Sequence, residues 1–193
     1  MNERIYVCHT FYNVYVTLLK ECSLPGEQQG QADIALSTMS TDFSGLRRRL
    51  EDCGMFAHVY LLEEKRDTTF PELEKYKKSY HNIIRHLYNR IVYTRKLAKL
   101  QEPYMKIDFA QYQDVYVYCD SDPIGYYLNY NHIYYHALYD VLDCLKYLYG
   151  AHYDNRGHFK LKAFLSSLNV IFIQNGYGKY CLDMEINDLS CLR

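Results

Sequence analysis

The sequence contains no tryptophan, only four prolines and no apolar run of the ~20 residues that a membrane-spanning helix needs. Its N-terminus lacks the basic and apolar regions of a signal peptide, and its seven cysteines form no C-x-x-C pair. We therefore expect a cytoplasmic protein with free thiols and no metal site. The formal net charge of −1 predicts no general attraction for nucleic acid.

Length and composition are those of an ordinary folded chain. The chain has 193 residues, of which 49% are hydrophobic and 23% charged, and 23 are tyrosines. These values predict one folded domain over residues 1–193. No G-x-G-x-x-G, P-loop or G-x-S-x-G motif is present, which disfavours NAD binding, P-loop ATP chemistry and an α/β-hydrolase; we expect no cofactor.

Short apolar runs alternate with helical patterns along the whole chain. This alternation predicts an α/β protein with a Rossmann-like parallel sheet of about six strands and helices on both faces. The predicted strands are Arg4–Val7, Ala32–Ser37, Ala57–Leu62, Asp114–Cys119, His132–His136 and Val170–Ile173. The predicted helices are Phe11–Glu21, Thr41–Asp52, Glu72–Glu102, Tyr139–Tyr149 and Phe159–Leu168.

The predicted helix Glu72–Glu102 is strongly basic, with eight Lys and Arg and no acid between Lys75 and Lys99. Such a run is typical of a solvated helix face, or of a basic surface for anionic glycan, nucleotide or membrane head groups. The second interpretation predicts peripheral contact with the inner face of an anionic membrane. Helical spacing predicts a core-facing stripe of Tyr80, Ile84, Leu87, Ile91 and Ala98.

Polar residues follow three of the predicted elements. Ligands of an open parallel sheet bind outside the carboxyl ends of its strands, so these residues are expected to line one crevice and to bind substrate. The substrate-binding candidates are His9, Thr10, Asp120, Ser121, Asp122 and Gly125, and Asp140 is the candidate general base.

Each candidate also has a plainer interpretation. His9 could contact a phosphate or a sugar hydroxyl, or be a neutral histidine bonded to backbone. Thr10 could cap the first helix, whose N–H groups could also receive an anion. Asp120 and Asp122 have the D-x-D spacing that can hold Mg²⁺ on a nucleotide diphosphate, or they could form a turn and a helix cap. Asp140 could be a base or an N-cap.

Three segments together resemble a known family. They are Ile5–Thr10 (I-Y-V-C-H-T), Ser121–Leu128 (S-D-P-I-G-Y-Y-L) and Asn175-Gly176-Tyr177. They resemble glycosyltransferase family 52, the bacterial lipooligosaccharide sialyltransferases, and its relatives in capsule loci. The resemblance covers nearly the whole chain, but only the N-terminal half of that family. It implies a GT-B architecture of two Rossmann-like domains and metal-independent transfer from a nucleotide-activated sugar such as CMP-sialic acid to a glycan hydroxyl.

The sequence departs from the family pattern at two places. The family's acid-acid-Gly motif, whose second acid is the implied base, matches Tyr139-Asp140-Val141, so Asp140 is kept and the glycine is lost. The family's His-Pro motif, which holds the nucleotide phosphate in the second domain, has no counterpart. Because donor stabilisation is missing, we expect the isolated chain to be inactive.

The resemblance therefore predicts a truncated or split glycosyltransferase of capsule or lipooligosaccharide synthesis. Its implied partners are a nucleotide-sugar donor, a glycan acceptor and a second polypeptide that carries the nucleotide-binding domain. The alternatives are a non-catalytic module that binds a glycan or a partner, and a D-x-D metal-dependent sugar transferase.

Overall fold

The computed structural model describes residues 3–77, 82–138, 159–172 and 176–185. Its described strands form one six-stranded sheet in the order β3-β2-β1-β4-β5-β6, and every neighbouring pair is parallel. The strands are β1 (Arg4–Cys8), β2 (Ala32–Ser37), β3 (His58–Leu62), β4 (Asp114–Val117), β5 (Tyr135–Leu138) and β6 (Cys181–Glu185).

Helices connect these strands, as parallel pairing requires. The described α-helices are α1 (Phe11–Cys22), α2 (Ser44–Asp52), α3 (Glu74–Lys77), α4 (Ile83–Gln101), α5 (Pro123–Tyr130) and α6 (Phe159–Ser167). Short 3-10 turns are Gly26–Gln28, Asp67–Thr69, Pro71–Leu73, Glu102–Tyr104 and Phe109–Gln111.

Both faces of the sheet are buried. Alternate residues of β1 point to opposite faces, so Tyr6 and Cys8 belong to one apolar cluster while Ile5 and Val7 belong to another. The first cluster contains side chains of α1 and α2, and the second contains side chains of α5. All five residues of β1 are buried, which is typical of the centre of a parallel sheet. The predicted α/β, Rossmann-like arrangement with helices on both faces is confirmed.

The strand order places a topological switch point at the centre of the sheet. The chain runs from β1 outward through β2 to β3 and then crosses to β4, on the other side of β1. The connections that follow β1 and β4 therefore diverge at the carboxyl edge between these two strands. In open α/β sheets this is where ligands bind.

The C-terminal part of the sheet differs from the prediction. Strand β5 begins three residues later than expected, and Val170, Ile171 and Phe172 are not in a strand. Asn169 adopts a left-handed φ of 57° after α6, and the Val170 N–H donates to the Leu165 carbonyl, so this apolar run closes a helix end. The sixth strand, β6, is a half-polar edge segment whose sequence carries no strong strand pattern.

The predicted helix Glu72–Glu102 is also different in the structure. Residues 71–73 form a 3-10 turn, α3 is one turn long, and α4 begins at Ile83 after the N-cap Asn82. Ala98 is buried as predicted, but Ile84 is 79% exposed. The buried residues of α4 begin at Asn89, and they are Asn89, Thr94, Leu97, Ala98 and Gln101.

Candidate functional site

Three polar side chains meet at the carboxyl edge of the sheet, and we call them the carboxyl-end cluster: His9, Glu64 and Asp122. His9 directly follows β1, Glu64 follows β3, and Asp122 precedes α5. The His9 Nε2 atom lies 2.7 Å from Glu64 Oε1 and 3.5 Å from Asp122 Oδ2. The cluster therefore contains one imidazole and two carboxylates at the switch point of the sheet.

Glu64 is the buried anchor of this cluster. Its second oxygen, Oε2, accepts a hydrogen bond of 2.9 Å from the backbone N–H of Ile124, in the first turn of α5. Burial alone would raise the pKa of Glu64, but His9, the Ser37 hydroxyl and the Ile124 N–H hold it below its ordinary value. Glu64 is therefore ionised at neutral pH, where it orients His9 and fixes the start of α5.

The turn between β1 and α1 is closed by its own side chains. The Asn13 Oδ1 atom accepts from the N–H groups of His9 at 3.0 Å and Thr10 at 2.9 Å. The Thr10 hydroxyl accepts from the Asn13 N–H at 3.1 Å and caps α1, as predicted. The capping box therefore makes the position of His9 rigid and already uses several of the N–H groups that an anion would need.

Two longer contacts support the same edge. The Thr41 hydroxyl donates to the His9 carbonyl at 2.7 Å, which links the β1–α1 turn to the loop after β2. The fully buried Gln101 side chain clamps the backbone of Lys65, accepting from its N–H at 3.1 Å and donating to its carbonyl at 2.8 Å. The end of α4 thus positions the segment that carries Glu64.

Asp120 faces a different network from Asp122. The Asp120 Oδ2 atom accepts hydrogen bonds of 3.0 Å from the Tyr135 hydroxyl and 3.0 Å from the Gly176 N–H. Burial, together with the Asp120 carboxylate, raises the pKa of Tyr135, so Tyr135 remains a donor. The two carboxylates of the D-x-D sequence therefore have separate partners: Asp120 ties the sheet to the loop before β6, while Asp122 reaches His9.

The remaining candidates of this loop have structural contacts. Gly125 is required by close packing, because a Cβ atom there would lie 1.9 Å from the Asp120 carbonyl oxygen. The exposed Ser121 hydroxyl lies 2.9 Å from Cys119 Sγ. Asp140 lies outside the described residues, so its role as a base stays a prediction.

Two exposed aromatic residues follow His9 and Thr10 in the sequence. Phe11 is 57% exposed and Tyr12 is 46% exposed, and both lie in the first turn of α1, directly after His9 and Thr10. Phe11 makes an edge contact with Phe43 at 5.3 Å between ring centroids. Such rings offer an apolar surface for the flat face of a ligand, while Asp122, with its side chain 28% exposed, offers a charged acceptor.

Sequence reasoning missed Glu64, although a signal was present. The rule that led to His9 and Asp122, namely polar residues directly after a predicted strand, also applies to Glu63-Glu64 after β3. A pair of acids on a loop is usually solvated, and only the tertiary structure shows that Glu64 is buried while Glu63 is exposed.

The described residues contain no group of three or more His, Cys, Asp or Glu side chains placed to hold a metal ion. Within the same residues, no helix combines the length and apolar character needed to cross a lipid bilayer. No protein-family model, curated protein or solved structure matches the chain. The family resemblance therefore stays a prediction, and the plain result is a Rossmann-like fold with a polar cluster at its switch point.

Proposed function

We propose that this chain is the acceptor-binding half of a two-domain, GT-B-type glycosyltransferase that acts in capsule or lipooligosaccharide synthesis. In this proposal the carboxyl edge of the sheet binds the acceptor glycan. A second domain, on a separate or continuing polypeptide, binds the nucleotide-sugar donor. CMP-sialic acid is the donor that the resemblance suggests.

The convergence of the three resembling segments carries the proposal. His9, from the first segment, contacts Asp122, from the second, at 3.5 Å. Gly176, from the third, donates to Asp120, which adjoins the second segment. These segments are more than 100 and about 50 residues apart in sequence, yet they meet at the edge where α/β sheets bind ligands.

The chemistry of the edge fits a sugar ring. A saccharide presents hydroxyl groups on its rim and apolar C–H groups on its faces. Asp122 can accept hydrogen bonds from hydroxyls, and the exposed Phe11 and Tyr12 rings can cover an apolar face. The buried His9–Glu64 pair keeps Asp122 in place and so preorganises the edge.

A D-x-D metal-dependent transferase is not proposed. That mechanism needs both carboxylates on one cation, whereas Asp120 is 4% exposed and binds Tyr135 and Gly176. A non-catalytic glycan-binding module uses the same edge and differs only in the absence of a donor domain. Activity with that domain therefore separates the two functions.

The test is reconstitution with the second domain of a family 52 enzyme. We expect sugar transfer to a lipooligosaccharide acceptor by the combined protein, and a loss of several orders of magnitude in Asp140→Asn, which removes the implied base. The Asp52→Asn variant, on the exposed end of α2, is the matched control. Glycan binding without transfer would support the module instead, and absence of both would overturn the proposal.

A further inference from the structure

The first turns of α4 expose the most accessible large apolar side chains in the described part of the chain. Ile84 is 79% exposed, Ile83 is 71% exposed and Tyr88 is 62% exposed. The buried residues of α4 all follow Tyr88, beginning with Asn89. The first two turns are therefore exposed to solvent, and burying their apolar side chains in water-free surroundings would be favourable.

The same stretch of sequence is rich in basic residues. No acidic residue occurs between Lys75 and Lys99. Lys75, Lys96 and Lys99 are exposed and form no ion pair with a described residue. The surface therefore carries positive charge that the described part of the domain does not neutralise, and it is complementary to an anionic partner.

Helical spacing brings the apolar and basic residues onto one side of α4. Ile84, Tyr88 and Lys99 are separated by four and eleven residues, which places them within about 60° around the helix axis. Lys96 lies about 60° further around, on the same solvent side. Along the axis, Ile84 and Lys99 are about 22 Å apart. The face therefore has an apolar end and a basic end.

We propose that this face of α4 docks on the surface of an anionic lipid bilayer. Ile84 and Tyr88 enter the region between head groups and acyl chains, and Lys96 and Lys99 contact anionic head groups. This inference goes beyond the proposed function and does not depend on it.

The chemistry of the face distinguishes a bilayer from other partners. A nucleic acid or an acidic polysaccharide would neutralise the lysines but would leave Ile84 in water. A second copy of this face would bring like charges together. A bilayer with anionic lipids is complementary to both the basic and the apolar end of the face, since it offers negative charge at its surface and an apolar interior below it.

The first experiment measures sedimentation with vesicles of phosphatidylcholine alone and of phosphatidylcholine mixed with phosphatidylglycerol. We expect binding only to the mixed vesicles, weakened by added salt. The double variant Lys96→Ala, Lys99→Ala should bind the mixed vesicles about 30-fold more weakly. The control is the double variant Arg47→Ala, Arg48→Ala on α2, which removes the same charge from another surface and should leave vesicle binding unchanged. Equal losses in both pairs would overturn the proposal.

The second experiment tests insertion directly. The chain contains no tryptophan, so Ile84→Trp introduces a single indole reporter. Its emission should shift to shorter wavelength with mixed vesicles, whereas Leu19→Trp, at an exposed position of α1, should show no shift. An unshifted Ile84→Trp spectrum in the bound state contradicts insertion.

The apolar contribution is tested by replacing Ile84 and Tyr88 together. The double variant Ile84→Ser, Tyr88→Ser should reduce vesicle binding at least tenfold, with the double variant Tyr15→Ser, Leu19→Ser on α1 as the matched control. Because these positions are exposed, thermal unfolding of both variants should match that of the unmodified chain. If the chain binds heparin or single-stranded RNA tightly, does not bind vesicles, and the Ile84→Ser, Tyr88→Ser variant binds the polyanion equally well, the face binds a soluble polyanion and the proposal is overturned.

Discussion

Strand β1 carries an ionic cluster at each of its ends, and the two clusters differ in their place in the fold. The amino-end cluster consists of Arg4, Tyr6 and Glu21. The carboxyl-end cluster consists of His9, Glu64 and Asp122. Both are assembled from segments that are distant in sequence, but only one of them lies at the edge where an α/β sheet binds ligands.

The amino-end cluster is closed. Arg4 donates through Nε and Nη2 to the two oxygens of Glu21, each at 3.2 Å, and the Tyr6 hydroxyl donates to Glu21 Oε1 at 2.7 Å. Arg4 also donates to the Gln28 carbonyl at 2.7 Å. Arg4 Nη1 also lies 3.6 Å from Oε2 of the exposed Glu3, so one cation meets a fully buried carboxylate and an exposed one, and the buried pair holds α1 on the sheet.

The carboxyl-end cluster is open. It brings two carboxylates to one imidazole, and the side chain of Asp122 remains 28% exposed. Only the carboxyl-end cluster lies at the edge where α/β sheets bind ligands, so we expect charge there to contact a ligand and charge at the amino end to serve stability.

The largest expected effect is at the closed cluster. Glu21→Leu removes the only buried carboxylate that pairs with Arg4 in the described residues and should reduce the free energy of unfolding by about 3–5 kcal/mol, measured by urea denaturation. The double variant Arg4→Met, Glu21→Leu should recover most of that loss, because both charges are then removed. If the double variant is as unstable as Glu21→Leu, Arg4 and Glu21 contribute more to stability than the pairing of their two charges.

A smaller loss is expected on removing the imidazole of the open cluster. His9→Leu should reduce the free energy of unfolding by about 2 kcal/mol, since Glu64 keeps its bonds to Ser37 and Ile124. His9→Gln retains a donor toward Glu64 and should recover part of this loss in the same urea titration. Equal stability of His9→Leu and the unmodified chain would remove the reason for treating the cluster as one unit.

The pH dependence of stability should also identify the open cluster. The folded-state pKa of Glu64 lies below its ordinary value of 4.5, so the unfolded state binds protons more readily. The stabilisation from Glu64 is therefore fully present above pH 4.5 and declines as the pH falls through the folded-state pKa. Glu64→Gln should flatten this part of the profile relative to the unmodified chain, and parallel profiles would contradict the assignment.

The smallest effect on stability is expected at Asp122. Its carboxylate is partly solvated and lies 3.5 Å from His9, so Asp122→Asn should change the free energy of unfolding by less than about 0.5 kcal/mol. If the edge binds an acceptor glycan, the same variant should weaken that binding about tenfold, measured by calorimetry. If Asp122→Asn lowers the free energy of unfolding and leaves glycan binding unchanged, the carboxyl-end cluster serves stability, as the amino-end cluster does.

The sheet was largely predictable because its strands are local patterns. Arg4–Val7 and Ala32–Ser37 are mostly apolar runs of strand length, typical of strands buried on both faces, and the helical segments between the strands favour parallel pairing. The same reasoning failed at Val170–Phe172, where an apolar run ends a helix, and at β6, where the edge strand is half polar. Periodicity alone does not say which element an apolar run belongs to.

The candidate site was predictable only in part. His9 and Asp122 follow from the rule that ligands bind at the carboxyl ends of strands, and Thr10 from the chemistry of helix caps. The different orientations of Asp120 and Asp122, and the need for glycine at position 125, depend on close contacts with Tyr135 and with the Asp120 carbonyl. Such contacts join elements that are distant in the sequence, and the sequence does not show how close they lie in the fold.

The sequence by itself determined the α/β alternation, the cap of α1, the absence of glycine-rich phosphate motifs and the excess of cations between Lys75 and Lys99, since these are properties of neighbouring residues. Only the tertiary structure decided that Glu64 is buried against His9 and that Ile84, periodic with the core residues of α4, is exposed. The physical reason is that burial and pairing depend on which elements pack together, and packing joins residues such as His9 and Glu64 that lie 55 positions apart.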